Sequence, residues 1–164
     1  MTDSTDHWLR RWGGAVLAVL ICEGVGVLAS IATQSSVDTW YPALDKPFFT
    51  PPGWVFAPVW IALYALMGIA AWLVGRRGWA APDVQTALGF FTFQLGLNGL
   101  WSFAFFGFRS PGAGLLVIAL LWLAIGATIQ QFFRLQRWAG WLLAPYLLWV
   151  SYAAALNGAI WWMN

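Results

Sequence analysis

Gln94, Asn98 and Trp101 stand at i, i+4 and i+7 of one apolar stretch, so a helix would carry all three on one face, with Phe105 continuing the line. Amides are costly in hydrocarbon unless they meet partners, and this face must therefore point toward protein. Such amides can tie helices together, or can orient a ligand in an otherwise apolar pocket. Both readings stay open at this point. A second face carries Phe56, Trp60, Tyr64 and Met67, and a third carries Trp149, Ala153 and Asn157, where the small Ala153 leaves space beside the indole. Aromatic stripes at helical spacing form bundle core or interface belts as well as ligand walls. Glu23 is the one carboxylate well inside an apolar stretch. It is either a proton or ligand contact, or a buried acid hydrogen-bonded to Gln94, Asn98 or Asn157.

Other chemistries lack their residues. His7 is the only histidine and lies in the polar N-terminal tail, which removes bis-histidine haem ligation within one chain, a zinc or di-iron site, and any Ser-His triad. No Gly-rich phosphate loop is present. Cys22 is the lone cysteine and permits no intrachain disulfide. The net charge of +2 is small and dispersed, and does not suggest nucleic acid. No metal is expected and no cofactor is required; what remains is binding, passage, sensing, or chemistry done by the ligand itself.

The elements that must hold these residues follow from composition. The chain has 164 residues, 61% hydrophobic and 9% charged, with a mean hydropathy of +0.70. A soluble domain of this size could not hide so much apolar surface. Five apolar stretches reach the roughly 20 residues needed to cross a bilayer: about 13–33, 54–74, 84–107, 112–133 and 139–161. They predict an all-α membrane protein, a five-helix transmembrane bundle forming one domain over 1–164. The N-terminal apolar run is too long for a signal-peptide core and is read as retained. Between the first two spans, loop 34–53 carries Pro42, Pro47, Pro51 and Pro52 interleaved with Trp40, Tyr41, Phe48 and Phe49, and Trp54 follows directly. Prolines fix φ and remove donors, so this is a stiff aromatic lid, suited to enclosing a flat, greasy ligand.

Six of the eight basic residues (Arg10, Arg11, Arg76, Arg77, Arg134 and Arg137) fall on the N-terminal side of this topology, and Lys46 and Arg109 on the other. The positive-inside rule puts the N-terminus in the cytoplasm, and the C-terminus and loop 34–53 outside, with the cell membrane as the expected location. Ala18, Cys22, Gly26 and Ser30, spaced by four, make a smooth face on the first span; Thr92/Gly96 and Ala154/Gly158 are looser small pairs. These are read as packing within the monomer, with a dimer seam as the alternative. Trp8, Trp12, Trp79, Trp138, Trp141, Trp161 and Trp162 lie near span ends, where indoles settle at headgroup level.

Four separated blocks carry a resemblance. Trp40-Tyr41-x-x-Leu44-x-Lys46-Pro47-x-x-x-Pro51-Pro52, then Pro58-Val59-Trp60-x-x-Leu63-Tyr64-x-x-Met67, then Gln94-Leu95-x-Leu97-Asn98-x-x-Trp101-x-x-x-Phe105-Phe106, and finally Pro145-Tyr146-Leu147-x-Trp149-x-x-Tyr152-Ala153-x-x-Leu156-Asn157. In this order they resemble the TspO/MBR family, the tryptophan-rich sensory proteins related to the mitochondrial translocator protein. The resemblance implies a five-helix membrane protein, often a homodimer, that binds tetrapyrroles such as protoporphyrin IX and haem in a pocket beneath the first loop. By motif position its walls would be Trp40, Trp60, Asn98, Trp101, Trp149 and Ala153; the helical faces above add Tyr64, Gln94 and Asn157. Some members are reported to promote light-dependent porphyrin breakdown, for which Trp60 and Trp149 are the matching positions; transport or regulation of tetrapyrrole traffic is a further alternative. The steroid pattern of animal members is absent after Tyr152, where no Lys or Arg follows. Expected partners are thus a porphyrin-type small molecule, membrane lipid and a second copy of the chain, with Lys46 a candidate contact for ligand carboxylates.

Overall fold

The computed structural model describes residues 3–164, with side chains from Trp12 onward, so the expectations for His7, Trp8, Arg10 and Arg11 lie outside the described side chains. Every regular element among the described residues is helical. Helix α1 (Asp3–Thr39) is followed by 3-10 turns at Tyr41–Ala43 and Gly53–Val55 and by α2 (Phe56–Gly75). Then come α3 (Pro82–Ser102), a π-helical turn (Phe103–Gly107), α4 (Pro111–Leu135), α5 (Arg137–Leu142) and α6 (Ala144–Met163). Four stretches are long and apolar enough to cross a membrane: Trp12–Thr39, Gly53–Gly75, Pro111–Leu135 and Arg137–Met163. The 21-residue α3 is more polar, since it carries Gln85, Thr86, Thr92, Gln94 and Asn98.

Two features differ from the sequence expectation, and a third element keeps its end but changes its winding there, each for a local reason. The lid begins later than residue 34, because 34–39 contain neither proline nor glycine and continue α1. Their polar side chains bond back into the helix: Thr39 Oγ1 donates to the Ser35 carbonyl at 2.6 Å, and Gln34 Nε2 to the Asp38 carboxylate at 3.0 Å. The last span is not one helix. Pro145 cannot donate to the carbonyl of Trp141, and the chain breaks at Leu143. The third span ends in the π turn, where Phe108 N bonds Phe103 O at 2.8 Å and Ser110 N bonds Phe105 O at 3.1 Å. Arg109, at φ 51°, completes this reversal in the left-handed region. Ser110 then caps α4, its Oγ accepting from Ala113 N at 3.3 Å, with Pro111 in the first turn.

Helix α1 lies along α2, α3 along α4, and α4 along α6. Where α1 meets α2 the backbones nearly touch: a Cβ on Gly68 would stand 2.5 Å from Val19 Cα. This is the close approach that small residues permit between membrane helices. Phe91 of α3 stacks on Phe132 of α4 with ring centroids 5.8 Å apart. At one end the α2–α3 and α4–α5 connections meet, Arg77 Nη2 donating to Gln136 Oε1 at 2.8 Å. At the other end Arg109 Nε reaches Ser36 Oγ of α1 at 3.4 Å. Leu17, Leu20, Leu28 and Ile31 of α1 and Leu116, Leu120 and Leu123 of α4 point outward. Trp79, Trp138 and Trp141 are exposed toward one end and Trp161 and Trp162 toward the other. Of the small pairs, Thr92 and Gly96 face outward with open space beside the glycine, so they do not pack within the monomer; Gly158 faces Leu115.

Candidate functional site

At Gly68, α1 is pressed against α2; beyond this contact, toward the lid, the two helices line a cavity of about 630 Å³. One wall is α1 from Glu23 to Val37, a run of about 20 Å at the helical rise. Tyr41, Pro42 and Gly53 of the lid roof it, and Trp60, Trp101, Phe105 and Ala153 give it aromatic and small-residue walls. The mouth lies between α1 and α2. Val27 and Ile61 line the cavity while remaining 54% and 59% exposed on the outside of the bundle, and Ser30, Gln34 and Ala57 are exposed liners beside them.

The floor is a hydrogen-bonded row of buried side chains. Tyr64 Oη donates to Asn98 Oδ1, and Asn98 Nδ2 donates to Tyr146 Oη at 3.0 Å. Trp60 covers this row, its ring 5.6 Å from that of Tyr64, 6.3 Å from Tyr146 and 6.3 Å from Trp101. On the far wall Trp101 Nε1 donates to Asn157 Oδ1 at 3.1 Å, while Asn157 Nδ2 donates to the Pro111 carbonyl at 2.7 Å. Asn98 thus ties α3 to α2 and α6, and Asn157 ties α6 to α3 and α4. Gly26 is forced small, since a Cβ there would stand 2.3 Å from the Tyr64 ring.

The lid is latched rather than loose. Lys46 Nζ donates to the carbonyls of Tyr41, Pro42 and Leu44 at 3.1, 3.1 and 2.8 Å, and sits 5.2 Å from the centre of the Tyr41 ring. Its charge is thereby engaged inside the lid, in place of the ligand contact expected from sequence. Tyr152 Oη donates to Phe49 O at 2.7 Å, and the Asn164 amide brackets Asp45, accepting from its N and donating to its O, both at 3.0 Å. Burial, and then the nearby Tyr152 phenol, raise the Tyr41 hydroxyl above its ordinary value and keep it neutral.

Of the residues singled out from sequence, Trp60, Tyr64, Asn98, Trp101, Ala153 and Asn157 line this cavity together. Three do not. Trp40 continues the helical turn of α1 and places its ring edge-on against Phe105, 5.6 Å away, so that Tyr41 takes the roof position. Gln94 is one turn beyond Asn98 and hence beneath the floor; it is 1% exposed, with neither amide atom bonded among the described residues. Trp149 lies against Phe56 and Tyr152, at 6.0 and 5.4 Å, and Phe56 occupies the wall in its stead. Sequence reasoning missed the α1 wall: Gly26 and Ser30 belong to the stripe expected to pack against a neighbouring helix, and Thr33 carries no signal of its own. It also missed Tyr146, whose hydroxyl completes the floor. Among the described residues no cluster of His, Cys, Asp and Glu could hold a metal ion.

The sequence model of the TspO/MBR family matches residues 18–163. The chain is 45% identical to the tryptophan-rich protein TspO of Archaeoglobus fulgidus, over 92% of this chain and 94% of that one. It is 39% identical to a tryptophan-rich sensory protein of Cereibacter sphaeroides (80% and 81% of the two chains). It is also 38% identical to the human translocator protein (74% and 73%).

Proposed function

We propose, given that this chain belongs to the TspO/MBR family, that it is a membrane receptor or sensor which takes flat hydrophobic ligands of the tetrapyrrole class into the cavity between α1 and α2. That it is an integral membrane protein follows from its long apolar helices and its family. The finer reading is a single domain crossing the bilayer five times, with α3 as the more polar span and α5 and α6 together as the last. It places the N-terminus in the cytoplasm of a cell whose outer lipid boundary houses the protein, and includes a second copy of the chain as partner.

One observation carries the ligand assignment: a roofed, largely apolar cavity walled by Trp60 and Trp101. Its volume of about 630 Å³ falls in the range, roughly 300–1,000 Å³, of pockets that take small ligands. Stacking on indole supplies affinity without a need for many polar contacts. Protoporphyrin IX and haem are the expected ligands, and no resident cofactor is required. The test is quenching of tryptophan fluorescence by protoporphyrin IX. Trp60→Ala removes the central ring and Ala153→Leu fills the space beside it, and each should weaken binding about tenfold, as expected for a lost aromatic contact of about 1.5 kcal/mol. Unchanged quenching in both variants would remove the assignment.

Light-dependent porphyrin breakdown is the second reading, favoured by the position of Trp60 on the wall. It makes a sharper demand on the two indoles: product formation should be lost in Trp60→Phe and retained in Trp149→Phe, since Trp149 stands behind Phe56.

A further inference from the structure

We propose that Glu23 determines which ligands the cavity accepts, by receiving a hydrogen bond from an N–H group on a flat aromatic ligand; this rests on the receptor reading above. Glu23 is the only ionisable carboxylate, and the only charged side chain, among the residues lining the cavity. It is half-buried, at the inner end of the α1 wall, one turn from Gly26 and the Tyr64 ring. Its carboxylate has no hydrogen-bond or ion-pair partner among the described residues.

Apart from the hydroxyls of Ser30, Tyr41 and Ser102, the other polar liners are already engaged. The Tyr64, Asn98, Trp101 and Asn157 side chains bond to one another and to Tyr146 and Pro111, and the Gln34 amide is held by Asp38. Thr33 donates to Ala29 O at 2.8 Å. A ligand's polar atom that enters past Ser30 therefore meets one unengaged acid acceptor, at the far end of an apolar slot. A charged or protonated carboxyl in that setting holds an acceptor oxygen in either state, and the low surrounding polarity strengthens the bond it makes. Discrimination then comes from the empty alternative: a ligand without the donor buries the acid against apolar surface.

Carbazole and N-methylcarbazole, flat tricycles that differ in one N–H, provide the test. Binding of each to the full chain in phosphatidylcholine nanodiscs is measured by equilibrium dialysis, with empty nanodiscs subtracted. The native chain should prefer carbazole about tenfold, the ratio expected for one hydrogen bond to a carboxyl group. Glu23→Ala should abolish the preference, chiefly by raising the affinity for N-methylcarbazole, which no longer buries an unpaired acid, while Glu23→Gln, which keeps a carbonyl acceptor, should retain part of it. Equal affinities in the native chain, or a preference that survives Glu23→Ala, would overturn the role of Glu23 and leave the receptor reading standing. Failure of both tricycles and of protoporphyrin IX to bind would overturn the two together.

Discussion

Lys46 illustrates how a charge assigned to a ligand by its position can belong to the scaffold. Its ammonium group carries three donors, and the lid presents three carbonyls to it. Replacing it by Met leaves the stem and removes those bonds, which for a half-exposed charged donor should cost about 1–2 kcal/mol of lid order. The expected outcome is faster protoporphyrin release and faster proteolysis within 40–53, measured by stopped-flow fluorescence and limited digestion. A variant with native rates would show the latch to be idle. Sequence could place Lys46 in the lid but not choose its partners, because carbonyl directions depend on the turn at Tyr41–Ala43. The same limit explains Trp149 and Gln94. Their spacing from Ala153 and Asn98 was legible, yet spacing gives a face, and what stands in front of that face comes from other helices. Phe56 screens one, and the Tyr64–Asn98–Tyr146 row lies above the other.

Helix α1 shows an opposite outcome at the scale of elements. Its stripe of Ala18, Cys22, Gly26 and Ser30 was read as a packing face, and only its lower part is one. Cys22 is buried and Gly26 lies under the Tyr64 ring, whereas Ser30 is exposed at the mouth. The close seam is set on the partner helix by Gly68, whose hydrogen faces the backbone of Val19. Gly68→Leu must push the helices apart, since it meets main chain rather than a movable side chain; overpacking of this kind costs about 1–3 kcal/mol or more. The melting temperature in detergent should fall and the ligand preference among flat molecules should broaden as the slot widens. An unchanged melting temperature would mean that the seam is not tight. Helix existence was readable from apolar length, and the ends of α4 from Ser110, Pro111 and Arg134. The break at Leu143 was readable in principle from Pro145, but a long apolar run obscured it.

For the molecule as a whole, the described arginine pairs at 76–77 and 134–137 gather at one end, where Arg77 bonds Gln136, and the lid sits at the other. The five crossings proposed above would put these ends on opposite faces of a bilayer. Single cysteines introduced at Phe48 and at Trp138, both fully or largely exposed, in a Cys22→Ala background should therefore react with an impermeant maleimide from opposite sides of sealed vesicles. Labelling from one side would require a different number of crossings. The doorway between Val27 and Ile61 lies partway along α1 and α2, which in the proposed topology sets it level with acyl chains. On the receptor reading, a guest arriving there would already have dissolved in the lipid, so its occupancy would follow its mole fraction among the fatty tails and not its aqueous concentration. Every loose hydrocarbon chain, including a solubilising surfactant, becomes a rival for the same threshold.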